Sequence, residues 1–150
     1  MTGKHAKIVV IDGQGGGIGR TIIEQIRLTS IPNIQLIAVG TNALATANML
    51  KAGADAGATG ESAVLFNCRD ADVILGVIGV IAAGSMYGEL NAAMAAAVSM
   101  SPAAKILIPV NKCGLILIGF EDQPLPVRIQ QAVEKLKQAL SDTLSDDGYR

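Results

Sequence analysis

The stretch Lys7–Thr21, KIVVIDGQGGGIGRT, decides the fold. Its β-branched run, Ile8 to Ile11, predicts a buried strand. Glycines at 13, 15, 16, 17 and 19 follow, and from Ile18 to Leu28 the apolar residues Ile22, Ile23 and Ile26 return at helical spacing. Pro32 ends that helix ahead of a second apolar run, Ile34–Val39, so the segment is the opening of a βαβ unit. Glycines between strand and helix let backbone N–H groups come close to a ligand. The unpaired N–H groups and positive dipole end of the helix suit a phosphate at the same place.

Working outward, Thr41 and Asn42 look like a second helix start, with Leu44, Ala47 and Leu50 on one face and Gly53 as terminator. A glycine and alanine loop then leads to an expected third strand, Ser62–Asn67, and a fourth, Asp72–Gly76. Leu90–Met100 is alanine-rich and predicts a close-packing helix, either core or a self-association face. Two further apolar runs, Ile106–Val110 and Leu115–Phe120, are joined only by Asn111–Gly114. A link that short suits a hairpin, so the last strand is expected to be antiparallel. Ile129, Val133, Leu136, Leu140 and Leu144 form the apolar stripe of a closing helix, opposite Glu134, Lys135 and Lys137, and the tail at 145–150 is expected to be mobile. Together these elements predict one Rossmann-like domain over residues 1–150, a three-layer α/β/α fold with a mostly parallel sheet. In such sheets ligands bind beyond the carboxyl ends of the strands where the strand order reverses. That point is expected between the first and fourth strands, with Gly13–Gly19 as one wall and the loop from Gly76 as the other.

Composition removes several classes. The chain has 150 residues, 50% of them hydrophobic and 17% charged, which fits a compact core and not a disordered chain. A net charge of −1 with 3% aromatic residues offers no basic stripe with stacking rings, so nucleic acid is not an expected partner. Between Val73 and Ala104 the only charge is Glu89, but glycines at 76, 79, 84 and 88 and Pro102 interrupt the run before it reaches the roughly 20 residues of a spanning helix. No signal-peptide pattern opens the chain, and a cytoplasmic location with no membrane partner is the expectation. Cys68 and Cys113 are too few for a disulfide framework, and no metal site is expected. His5, the only histidine, lies ahead of the first strand and away from the expected site, which disfavours histidine acid–base chemistry.

Spacing within the glycine loop discriminates among phosphate-binding motifs. A strict G-x-G-x-x-G from Gly13 and Gly15 requires glycine where Ile18 stands. An NTPase loop ending at Gly19-Arg20-Thr21 would need glycine at Gln14 and lysine at Arg20. The D-x-G-x-G-x-G pattern of methyltransferases, counted from Asp12, falls out of phase, which leaves S-adenosylmethionine a minor alternative. Gly13 with Gly17-Ile18-Gly19 resembles the G-x-x-x-G-I-G turn of short-chain dehydrogenases, although Tyr87 is followed four positions on by Asn91 and not by the lysine of that family. More broadly, IDGQGGGIGR at 11–20, AVGTNALATANMLKAGAD at 38–55, NCRDADVILG at 67–76 and ILIPVNKC at 106–113 resemble a family of short bacterial Rossmann-like proteins known as a domain of unknown function.

These readings assign cofactor binding to Gly13, Gln14, Gly15, Gly16, Gly17, Ile18, Gly19, Arg20, Thr41, Asn42 and Gly76, with NADP or NAD as the expected small-molecule nucleotide. No acid lies between Glu24 and Asp55, so the carboxylate that usually binds the ribose hydroxyls is missing from the second strand's end. Thr41 and Asn42 there suit either a 2′-phosphate, pointing to NADP, or helix capping. Arg20 either balances phosphate charge or is a solvated helix residue. Asp12 is expected to pin the loop by accepting backbone N–H bonds more than to act in catalysis. Asn67–Asp70 and Asn111–Cys113 are expected on the ligand-binding edge, and the cysteines are expected to be buried hydrophobes ahead of nucleophiles. Catalytic residues stay unassigned. The alternatives to plain nucleotide binding are a small NAD(P)-dependent oxidoreductase using Tyr87, Asn111, Lys112 or Cys113, and a non-catalytic sensor or assembly subunit; a homodimer is expected ahead of a monomer.

Overall fold

The computed structural model describes residues 5–110 and 114–145, with side chains to 142. Five strands, β1 (Ala6–Asp12), β2 (Ile34–Gly40), β3 (Ala56–Thr59), β4 (Val73–Val77) and β5 (Ala104–Ile108), form one sheet in the order β3-β2-β1-β4-β5. Every pairing is parallel. Helices α1 (Gly17–Thr29), α2 (Ala43–Lys51), α3 (Glu61–Cys68), α4 (Ala92–Met100) and α5 (Leu125–Ser145) cover both faces. The strand order is that of Rossmann-type doubly wound sheets, and it reverses at β1, whose two neighbours are β2 and β4.

The period-2 geometry of a strand sorts the core into two layers. Ile8 and Val10 of β1 pack with Ile22, Ile23 and Ile26 of α1, Met49 of α2, and Ile129, Val133 and Leu136 of α5. Val9 and Ile11 face the other way, onto Val64 and Cys68 of α3 and Met94 and Val98 of α4. All five residues of β4 are buried, as expected of a central parallel strand covered on both sides. Leu140 packs against the first layer, completing the described part of the α5 stripe.

Four expectations are corrected. The last strand is not antiparallel: the sheet ends at parallel β5, and residues 114–124 form no strand, leaving Ile116 and Ile118 exposed where no neighbouring strand pairs with them. Ser62–Asn67 belongs to α3, because Val64, Asn67 and Cys68 share one buried helical face while Phe66 points outward. The third strand lies earlier, in the small-residue run Ala56–Thr59, paired with β2 by backbone alone. On α2 the buried face is Ala45, Thr46 and Met49, so Leu44, Ala47 and Leu50 lie on the exposed side. Gly53 does stop α2, at φ 121°, with its N–H on the Leu50 carbonyl. The tail expected to be mobile falls, beyond Ser145, outside the described residues.

The α3 correction moves Asn67–Asp70 to the opposite edge of the sheet from the carboxyl ends of the strands, the edge where doubly wound sheets bind ligands. Lys7, at the start of β1, makes an ion pair with Asp70 at 2.6 Å, and its ammonium lies 5.7 Å from the centre of the Phe66 ring. Cys68 is buried, and desolvation pushes its thiol up to about 11, the pKa of a packing group and not of a nucleophile. His5 is exposed ahead of β1.

Candidate functional site

At the carboxyl end of β1, Asp12 is only 7% exposed. Its carboxylate accepts the N–H of Gly13 at 2.8 Å and of Gly19 at 2.7 Å, closing the loop back onto its own strand. Burial raises its pKa, and those two N–H bonds act in the opposite direction. This is the loop-pinning role expected from the sequence. Gly16 caps α1 at φ 71°, and a Cβ there would stand 2.7 Å from the Ala45 Cα, so α1 and α2 meet through this glycine. A Cβ on Gly19 would meet Met49 and Asp12, and one on Gly13 would meet Met86 and Thr41.

Gly15 and Gly17 differ from these three. Neither has a positive φ, and a Cβ on either would touch nothing within 4 Å. The loop carbonyls beside them are drawn toward α2: Asn42 Nδ2 donates to the Gln14 oxygen at 2.8 Å and Asn48 Nδ2 to the Gly15 oxygen at 2.7 Å. Because a trans peptide sets C=O and N–H on opposite sides, the Gly15 N–H is turned away from α2. Among the described residues the N–H groups of Gly15 and Gly17 have no protein partner.

Both glycines line an open cleft of about 970 Å³ at the β1/β4 reversal. The loop from Asp12 to Ile18 forms one wall, Val77 at the end of β4 with Gly79 beyond it a second, and Leu125 at the start of α5 a third. The fourth is Gly84–Tyr87, part of a strap (residues 84–90) that follows the 3-10 turn Ile78–Ile81. The strap closes on itself through the Gly84 N–H to the Leu90 carbonyl at 2.7 Å and the Leu90 N–H to the Ser85 carbonyl at 3.3 Å. Ser85 Oγ anchors it by donating to the Gly79 carbonyl at 2.6 Å. Met86 and Tyr87 both sit at positive φ, and Tyr87 is fully exposed.

One acidic residue, passed over in reading the sequence for site residues, ties the strap to the strand ends. Glu89 accepts the Gln14 N–H at 3.0 Å, the Thr41 hydroxyl at 3.2 Å and the Asn42 amide at 2.5 Å. The Asn42 bond, reinforced by Gln14 and Thr41, holds its carboxyl below the usual glutamate range. The local sequence gave one signal: Glu89 is the sole charge in a long apolar stretch. Its three partners lie 47, 48 and 75 positions away, and no local motif spans those separations.

The remaining expected residues are placed as follows. Gly13 to Ile18 all line the cleft, whereas Gly19, Arg20, Thr41, Asn42 and Gly76 do not. Arg20 pairs along its own helix with Glu24 at 2.9 Å. Asn42 caps α2, its side-chain oxygen accepting the Ala45 N–H at 2.9 Å. Gly76 lies inside β4, where a Cβ would press on the Ile11 carbonyl at 2.9 Å, so its backbone contact is with β1. Asn111, Lys112 and Cys113 lie outside the described residues. Among the described residues no group of His, Cys, Asp and Glu is arranged to hold a metal ion, and no helix is long and apolar enough to cross a membrane.

No curated protein matches the chain. It is similar to a solved structure described as a dodecameric FMN-dependent Ubix-like decarboxylase from Escherichia coli O157:H7, at 14% identity and a TM-score of 0.44, covering 91% of this chain and 94% of that one. The model of DUF3842, a domain of unknown function, matches residues 7–141, and the chain belongs to that family.

Proposed function

We propose that this protein binds a nucleotide whose phosphate rests on the glycine loop at Gly15 and Gly17. The observation that carries the reading is that these two glycines serve neither conformation nor packing, while their free N–H groups border the cleft. A side chain at either position would stand where a phosphate needs to approach the backbone. The glycine spacing, taken without the strap, suggests NAD or NADP through its likeness to the short-chain dehydrogenase turn; what we propose is a nucleotide phosphate on the loop, and which nucleotide follows from what surrounds it. No reaction is assigned. Of the groups named for an oxidoreductase, Tyr87 alone lies among the described residues, where it is fully exposed on the strap, and no catalytic role is proposed for it.

A thermal-shift panel of NAD, NADP, their reduced forms, AMP, FMN, ATP and S-adenosylmethionine tests it, because a ligand bound by the native state alone raises the melting temperature. At least one nucleotide is expected to stabilise the protein, and Gly17→Val to abolish that shift while the unliganded protein still melts cooperatively. Silence across the panel removes the proposal.

A further inference from the structure

We infer that the strap Gly84–Leu90 closes the β2 side of this site, so that it accepts a mononucleotide, one phosphate carrying one nucleoside, and excludes dinucleotides. The inference rests on the nucleotide reading above and narrows its ligand. A dinucleotide held at the first βα turn of a doubly wound sheet straddles the reversal, one nucleoside on each side, with one ribose over the end of the second strand. Here the β4 side is open, and the β2 side is filled by the protein's own side chains.

Two observations establish the filling. Met86 lies over Gly13, its sulfur 2.5 Å from where a Cβ would stand, with the Thr41 hydroxyl equally close. The space above the first glycine, which the second arm would cross, is thus taken. Beyond it, the polar groups presented by the loop and the end of β2 converge on one carboxylate: Gln14 N–H on Glu89 Oε2, and Thr41 Oγ1 and Asn42 Nδ2 on Oε1. Glu89 therefore uses the donors that a ribose or a 2′-phosphate would otherwise meet, and its charge repels a second phosphate. NADP is the dinucleotide most strongly disfavoured, the reverse of what Thr41 and Asn42 suggest when read without Glu89.

The open cleft has the complementary character. From Gly15 and Gly17 it runs past Ile18 to Val77 and Leu125, so a phosphate at the glycines would leave its nucleoside against apolar walls.

Calorimetric titration of the wild-type protein with AMP, NMN, FMN, NAD and NADP tests this, with Glu89→Gln and the M86A E89A double variant in parallel and melting curves to verify folding. The tightest mononucleotide is expected to bind at least about tenfold more tightly than either dinucleotide. The double variant is expected to narrow that ratio at least about fivefold by strengthening NAD. Glu89→Gln, which keeps the shape and removes the charge, is expected to help NADP more than NAD. Wild-type protein that binds NAD or NADP as tightly as any mononucleotide overturns the inference and leaves nucleotide binding standing. Folded variants with an unchanged ratio overturn it too. If no compound of either class binds, the nucleotide reading fails first and the inference with it.

Discussion

The loop's glycines divide by what each would lose on gaining a methyl group. At Gly16, alanine meets a left-handed backbone, costing about 1–2 kcal/mol, and a Cβ 2.7 Å from the Ala45 backbone. Gly16→Ala is therefore expected to lower unfolding free energy by about 2 kcal/mol or more, read as a lower denaturant midpoint at unchanged slope. At Gly15 and Gly17, alanine meets open space at permitted φ. Those substitutions are expected to leave stability within about 0.5 kcal/mol, or raise it by stiffening the unfolded chain, while weakening nucleotide binding. Equal destabilisation at all three positions would mean that 15 and 17 are structural as well. The sequence shows five glycines of one kind and cannot show this division, because, apart from Asp12 beside Gly19, the atoms that crowd Gly13, Gly16 and Gly19 come from the distant Met86, Thr41, Ala45 and Met49. The pinning role of Asp12 was legible, since its partners lie one and seven residues ahead. Arg20 was legible only as two alternatives, and the structure places it on Glu24, one helical turn along α1.

Elements were readable where their burial pattern is local. β1, α1, β2, β4 and the start and stop of α2 follow from apolar runs, Pro32, Asn42 and Gly53, and each is found within a residue or two of its expected bounds. Three failed: β3 is four small residues with no apolar pattern, Ser62–Asn67 is a short apolar run that forms part of α3, and Leu115–Phe120 has a strand's composition with no pairing partner. The strap had no readable identity, because its structure depends on Glu89 reaching both the glycine loop and the end of β2. That latch has a pH signature of fixed sign. Glu89 is lowered below the ordinary 4.5, so its stabilisation is complete above 4.5 and is lost as pH falls through its lower folded value. Asp12, facing it, is raised above 3.8, so its contribution is greatest below 3.8 and is lost as pH rises through the higher folded value. The two oppose each other in a global acid melt, and local probes separate them. The Gln14 amide signal is expected to titrate with a midpoint below 4.5, and the Gly13 amide with one above 3.8. Glu89→Gln is expected to abolish the Gln14 titration alone; a Gln14 midpoint at or above 4.5 would show that the strap does not hold the charged carboxylate.

At the scale of the whole molecule, parallel strands, two helical layers and a reversal at β1 account for the core, and among the described residues they leave the apolar segment 114–120 outside it. Ile116 is 90% exposed, Ile118 95% and Phe120 58%, all on residues 114–120 after β5. A homodimer is an expectation from the sequence, and the face we propose for it is this segment in preference to α4, which uses Met94, Ala95 and Val98 within its own core. Magnitudes make the assignment reasonable. Fully burying an isoleucine or phenylalanine side chain contributes about 1.5–3 kcal/mol, so three from each of two copies supply at most about 9–18 kcal/mol, reduced because Phe120 is already partly covered. Association costs about 4–15 kcal/mol in lost freedom, which is of the same order. A two-fold contact would set each segment against its own copy, as closed symmetric dimers require. Sedimentation equilibrium is expected to show a dimer at about micromolar protein, and the I116S I118S variant a monomer with an unchanged circular dichroism spectrum. The cleft proposed for the nucleotide is lined by residues of a single copy, so that monomer is expected to keep its ligand-induced thermal shift. A wild-type protein that stays monomeric at about 200 µM, weaker than roughly 5 kcal/mol of association, would remove the dimer and leave the segment as exposed surface.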